Sequence, residues 1–103
     1  AKMMKMAQEA QAKVGELQEE LGRIVVVGEA GAGLVKARAT AKGQITGLDI
    51  DPSILVPSEK EVIEDLILAA LNDAQAKAQA RTQTEMSKLT QGLGLPPDFK
   101  LPF

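Results

Sequence analysis

Apolar or small residues recur at Met3, Ala7, Ala10, Val14, Leu17, Leu21 and Ile24, at spacings that alternate between four and three. This is a heptad seam: it lays a greasy line along one side of a helix and demands a partner helix beside it. The spacing predicts a helix over residues 2–22, stopped at Gly22. Glu9 and Lys13 stand at i and i+4 in the favourable order, which suits an exposed flank. Gly15 lies inside the helix and weakens it by about 1 kcal/mol relative to Ala.

The run after the seam changes period. Arg23-Ile24-Val25-Val26-Val27 is β-branched and too short for a helix, and Gly28 to Gly33 reads as the turn that follows it. Val35, Ala37 and Ala39 then alternate with Lys36, Arg38 and Thr40, as in a half-buried strand. Ala41 to Gln44 turns the chain again, and Thr46, Leu48 and Ile50 alternate until Asp51-Pro52 ends the strand. Short turns between three strands predict an antiparallel meander over 23–51. Ser58-Glu59-Lys60-Glu61 has the form of a capping box and predicts a second helix over 58–91. Val62, Ile63, Leu66, Ile67 and Ala70 make its apolar face, which thins past Ala74, so its second half is expected to project into solvent. Residues 92–103 form an irregular, apolar tail with the chain's two aromatics, Phe99 and Phe103, and are expected to act as a strap.

The expected architecture is therefore one α+β domain over 1–103: long helix, three-stranded meander, long helix. At 1.5 Å per residue the helices would run roughly 30 and 50 Å, while a compact chain this size has a radius of gyration near 13 Å. Such rods and a thin sheet cannot shield themselves alone, which predicts an elongated homodimer. Val14, Leu17, Leu21, Ile63, Leu66, Ile67 and Ala70 are the expected interface.

Residue content narrows the chemistry. The chain holds no Cys and no His, so thiolate nucleophiles, disulfides, and the commonest general base and metal ligand are excluded. No apolar run approaches the roughly 18 residues of a membrane span, and a soluble, cytoplasmic protein is expected. Neither catalysis nor a cofactor is anticipated. With two aromatics, base-stacking platforms are not available, so any nucleic-acid contact must be to phosphates. The formal net charge of −2 argues mildly against nucleic acid, although a total can hide a local basic stripe.

Three patterns invite chemistry. Gly28-x-x-Gly31-x-Gly33 lacks the Gly-Lys-Ser/Thr and the following helix of a phosphate loop, and a hairpin turn explains it. Asp49, Asp51, Glu64, Asp65 and Asp73 contain no calcium-loop spacing and fit capping or solvated roles. Lys77, Arg81 and Lys88 share one stripe of the second helix, interrupted by Glu85, while Lys2, Lys5 and Lys13 gather in the first half of the first. An ordinary solvated face would look the same. Paired in a dimer, however, these six cations per chain would form two basic prongs able to straddle a duplex.

Across nearly the whole chain the sequence resembles the YbaB/EbfC family of bacterial nucleoid-associated proteins. The resemblance rests on Val27-Gly28-Glu29-Ala30-Gly31-Ala32-Gly33-Leu34-Val35-Lys36, on Ile50-Asp51-Pro52-Ser53-Ile54-Leu55, on Glu64 to Ala74, and on Gly92-Leu93-Gly94-Leu95-Pro96-Pro97. It implies a dimer with protruding helices, likened to tweezers, that binds DNA with little sequence preference in the nucleoid. Ala41-Lys42-Gly43 departs from the Asn-Gly that relatives tend to carry, which bears only on the hairpin turn. The resemblance supplies no basic motif, so Lys2, Lys5, Lys13, Lys77, Arg81 and Lys88 are DNA contacts by inference from this sequence. The competing reading is a protein-interaction adaptor that uses its helices or its tail without touching DNA.

Overall fold

The computed structural model describes residues 2–92 and residue 94. A first helix, α1, runs Lys2–Leu21; strands β1 (Val25–Ala30), β2 (Val35–Thr40) and β3 (Ile45–Ile50) follow; a second helix, α2, runs Lys60–Gly92. The strands form an antiparallel meander in the order β1-β2-β3. Its register places Val26, Gly28 and Ala30 opposite Ala39, Ala37 and Val35, all on the face that α2 covers. The other face carries Val25, Val27, Glu29, Lys36, Arg38 and Asp49 and stays wet.

Small side chains set the packing distance. Val35, Ala37, Ala39, Ala70 and Ala74 form the buried cluster, and Val35 is the largest side chain wholly inside it. Four of those five residues are alanines, so helix and sheet come together almost backbone to backbone. The approach is closest at Gly28. A Cβ there would lie 2.7 Å from the Cα of Ala74 and nearer still to the Ala74 nitrogen and the Ala70 carbonyl oxygen.

Two expected features are corrected by this geometry. Gly28, Glu29 and Ala30 belong to β1 and not to a turn; the turn begins at Gly31, where Gly31 and Gly33 take positive φ. Gly28 is glycine because α2 crosses there, a tertiary reason that local turn chemistry cannot reveal. The Ser58 capping box is likewise not formed. Asp51 caps a 3-10 turn over Pro52–Ile54 by accepting from the Ser53 amide at 2.8 Å, and a second 3-10 turn, Pro57–Glu59, leads directly into α2.

The partner of the heptad seam is found within the chain. Leu17 and Leu21 are buried with Ala41 against Ile24, Met86 and Leu89, so the second half of α2 packs on α1 and does not stand free. Thr82 ties the same region to the hairpin by donating to the Ala41 carbonyl oxygen at 2.6 Å. Leu17, Leu21 and Ala70, expected at a dimer interface, are already covered in a single chain. Val14, Ile63, Leu66 and Ile67 remain half-buried. The molecule is nonetheless long, 68 × 21 × 16 Å with a radius of gyration of 18.5 Å, against near 13 Å for a compact chain of this length.

Candidate nucleic-acid interface

The two groups of cations fare differently. On α2, each of the three is already engaged. Lys77 lies 3.0 Å from Asp73 and donates to the Val27 carbonyl oxygen at 3.0 Å. Arg81 donates to Glu85 at 3.0 Å, and Lys88 approaches the same carboxylate oxygen at 3.5 Å. The Glu85 side chain is only 11% exposed, so its charge sits inside the stripe and cancels much of it. Arg81, then Lys88, hold its carboxyl below the ordinary range against the opposing cost of burial. The sequence showed Glu85 interrupting the stripe but not that one carboxylate meets two cations, a matter of side-chain conformation on one helix face.

Asp73 and Lys77 also do structural work on the sheet. The Glu29 amide donates to Asp73 at 2.9 Å, while Val27 accepts from Lys77. Together they satisfy outward-pointing backbone groups of β1, as a neighbouring strand would. The Glu29 amide first, then Lys77, lower the Asp73 pKa. A carboxyl whose folded pKa is depressed adds stability above the unfolded value, near 3.9, and that stability is lost as pH falls through the folded value. Asp73→Asn should therefore lower the Tm at pH 7 and flatten its further fall between pH 5 and pH 2. Thermal unfolding across that range checks this, and an unchanged profile would show that the carboxylate does not hold β1.

On α1, Lys2, Lys5 and Lys13 take part in no ion pair among the described residues. By helical period they share one flank of α1, with Glu9 between them, and Lys13 borders the groove between α1 and α2. Cleft-lining residues define how the helices run. Gln18 and Leu21 share a groove with Ala78, Gln79 and Thr82, whereas Lys13 and Leu17 share one with Lys88, Leu89 and Gly92. The helices are thus antiparallel, and residues 2–12 of α1 form an arm beyond the end of α2. Arg23, Lys36 and Lys42 also lack an ion-pair partner among the described residues; they are scattered over the hairpins and formed no pattern in the sequence.

A second surface is apolar. Ile45 and Leu48 of β3 face the α2 side but lie beyond its cover, and Leu48 is 40% exposed. Leu55, Val56, Pro57 and Ile63 line a shallow depression at the start of α2. Phe99 and Phe103, expected to form a strap, lie outside the described residues. Among the described residues no three carboxylates gather where a metal ion could sit, and no helix is long and apolar enough to cross a membrane.

A three-stranded sheet covered by one long helix, with a second long helix antiparallel to it, defines a small α+β domain. The chain belongs to the YbaB/EbfC DNA-binding family, whose model matches residues 1–93. Its fold is similar to that in the crystal structure of the uncharacterized protein HP0035 from Helicobacter pylori, with a TM-score of 0.73 at 20% identity. That similarity covers 84% of this chain and 91% of the other.

Proposed function

We propose that this protein is a nucleoid DNA-binding protein that works as a homodimer and grips the phosphate backbone without reading bases. Membership of a DNA-binding family supports the partner. The observation that carries the mode of contact is the arm of α1 and its root, where Lys2 and Lys5 stand beyond α2 and Lys13 beside its end, none of them in an ion pair among the described residues. Lys77, Arg81 and Lys88 extend the surface but are partly cancelled by Asp73 and Glu85. Lysines without aromatic neighbours or fixed bidentate geometry hold phosphates and carry little sequence information. No cofactor or catalytic role is part of this reading.

Exposed Ile45 and Leu48 on β3, and the depression lined by Leu55, Val56 and Ile63, support pairing with a second copy, since exposed apolar patches mark interfaces. Val14, Leu66 and Ile67 can add their exposed parts, and two copies would present two arms to one duplex. The test is DNA retention against salt. Backbone binding through six lysines per dimer should give a log–log slope near −5, with affinity falling by more than 10² between 50 and 200 mM salt. A salt-independent affinity, or one set by base sequence, would overturn the proposal and favour an adaptor role.

A further inference from the structure

One flank of α1 is charged along its whole length, and its two halves differ in sign. At the α-helical period Lys2, Lys5, Glu9, Lys13, Glu16 and Glu20 fall within about 80° of one another. All six are exposed, and none takes part in an ion pair among the described residues. Cations prevail toward Lys2 and anions toward Glu20. Turned end for end about a point close to Gln11, the flank meets its own opposite: Lys2 faces Glu20, Lys5 faces Glu16, and Glu9 faces Lys13. Glu19 alone among the charges of α1 stands outside this set. We propose that the flank is a self-association surface, on which α1 of a second copy lies antiparallel and makes each of these three pairs twice about a twofold axis.

A groove beside the flank receives the incoming helix. Lys13, Glu16 and Glu20 form one wall, Glu85 and Lys88 of α2 form the other, and Leu17 with half-buried Leu89 makes the floor. Glu85 and Lys88 face one another at 3.5 Å, so the far wall is already neutral and repels neither sign. The groove encloses about 280 Å³. In the antiparallel register Met6 of the second copy, 59% exposed in a single chain, falls opposite Leu17 and enters the groove as an apolar knob.

The pattern of sign selects the occupant. A wall of glutamates would take any basic helix, but a twofold contact requires every charge to find its opposite in one register, and this flank does so with all six. Exposed ion pairs fix register and partner more than they add affinity. A single helix flank is also well below the ~800 Å² per partner of a standard interface. The association is therefore reversible, and weakens with salt. It uses none of the β3 residues put forward for dimerisation, so it links molecules in addition to that pairing. It does occupy Lys2, Lys5 and Lys13. Phosphates and a second copy thus compete for the same lysines, a consequence that rests on the DNA-binding function proposed above, whereas the contact itself does not.

Sedimentation of the full chain without DNA tests the contact. The wild type should associate further at about 50 mM salt than at about 500 mM. Glu16→Lys with Glu20→Lys, or Lys2→Glu with Lys5→Glu, should weaken association about tenfold, because like charges then face each other. Mixing the two variants should restore it, since every pair regains opposite signs. The chain has no cysteine, so a mixture of the Glu9→Cys and Lys13→Cys variants reads the register and should give mostly heterotypic disulfides. A wild type that does not associate, charge variants that associate as it does, mixing without rescue, or disulfides formed in statistical proportion would each overturn the proposal. Adding a DNA duplex to the wild type should then disperse the assemblies. Assemblies that persist with DNA bound overturn the competition and leave the contact standing.

Discussion

Gly28→Ala is expected to destabilise the protein by at least about 3 kcal/mol, and Gly28→Val to leave no cooperatively folded species. Overpacking usually costs about 1–3 kcal/mol because flexible side chains can move aside. Here the obstructing atoms are the Ala74 nitrogen and Cα and the Ala70 carbonyl oxygen, which belong to the backbone of α2. A methyl group can enter only if the whole helix lifts from the sheet. Lifting it uncovers Val35, Ala37 and Ala39 at once, and no larger side chain in the cluster can swell to fill the gap. Against a total stability of about 5–15 kcal/mol, such a loss is large. Denaturant unfolding of the alanine variant measures it; a cost below about 1 kcal/mol would mean that the helix does not rest on β1 as described.

Neutralising the arm and its root, with Lys2, Lys5 and Lys13 all changed to Gln, should reduce the salt slope of DNA binding by up to about 5 per dimer. The corresponding Lys77, Arg81 and Lys88 variant should lose less. Asp73 and Glu85 already hold those cations, and their removal would free two carboxylates near the duplex. That second variant also removes the Lys77 contact with Val27, so its fold must be checked by circular dichroism. Gel shifts at several salt concentrations compare the two. If the α2 variant loses more, the arm is not the principal contact.

Periodicity made most of the architecture legible before any coordinates. The heptad seam marked α1, and strict alternation marked β2 and the end of β3, because those patterns arise from each element's own geometry. What escaped depends on encounters between distant residues. Gly28 looks like a turn residue until α2 lies over it. The seam asks for a partner without saying whose, and Met86 and Leu89, sparse among Gln, Lys and Thr, gave little sign of answering from the same chain. The candidate site shows the same divide. The six cations proposed as DNA contacts could be named from the sequence, but their state of neutralisation could not, since it depends on which rotamer Glu85 adopts and on the bond between Asp73 and the Glu29 amide.

Asp73 and Lys77 occupy the Glu29 amide and the Val27 carbonyl oxygen on the open edge of β1 and so blunt it, whereas among the described residues no side chain does the same for β3. Growth by strand addition needs a fresh template after every step, and here the far rim is partly occupied by side chains. Two chains joined back to back through β3 would leave only the blunted β1 edges outside, which disfavours lengthening of a ribbon into a fibre.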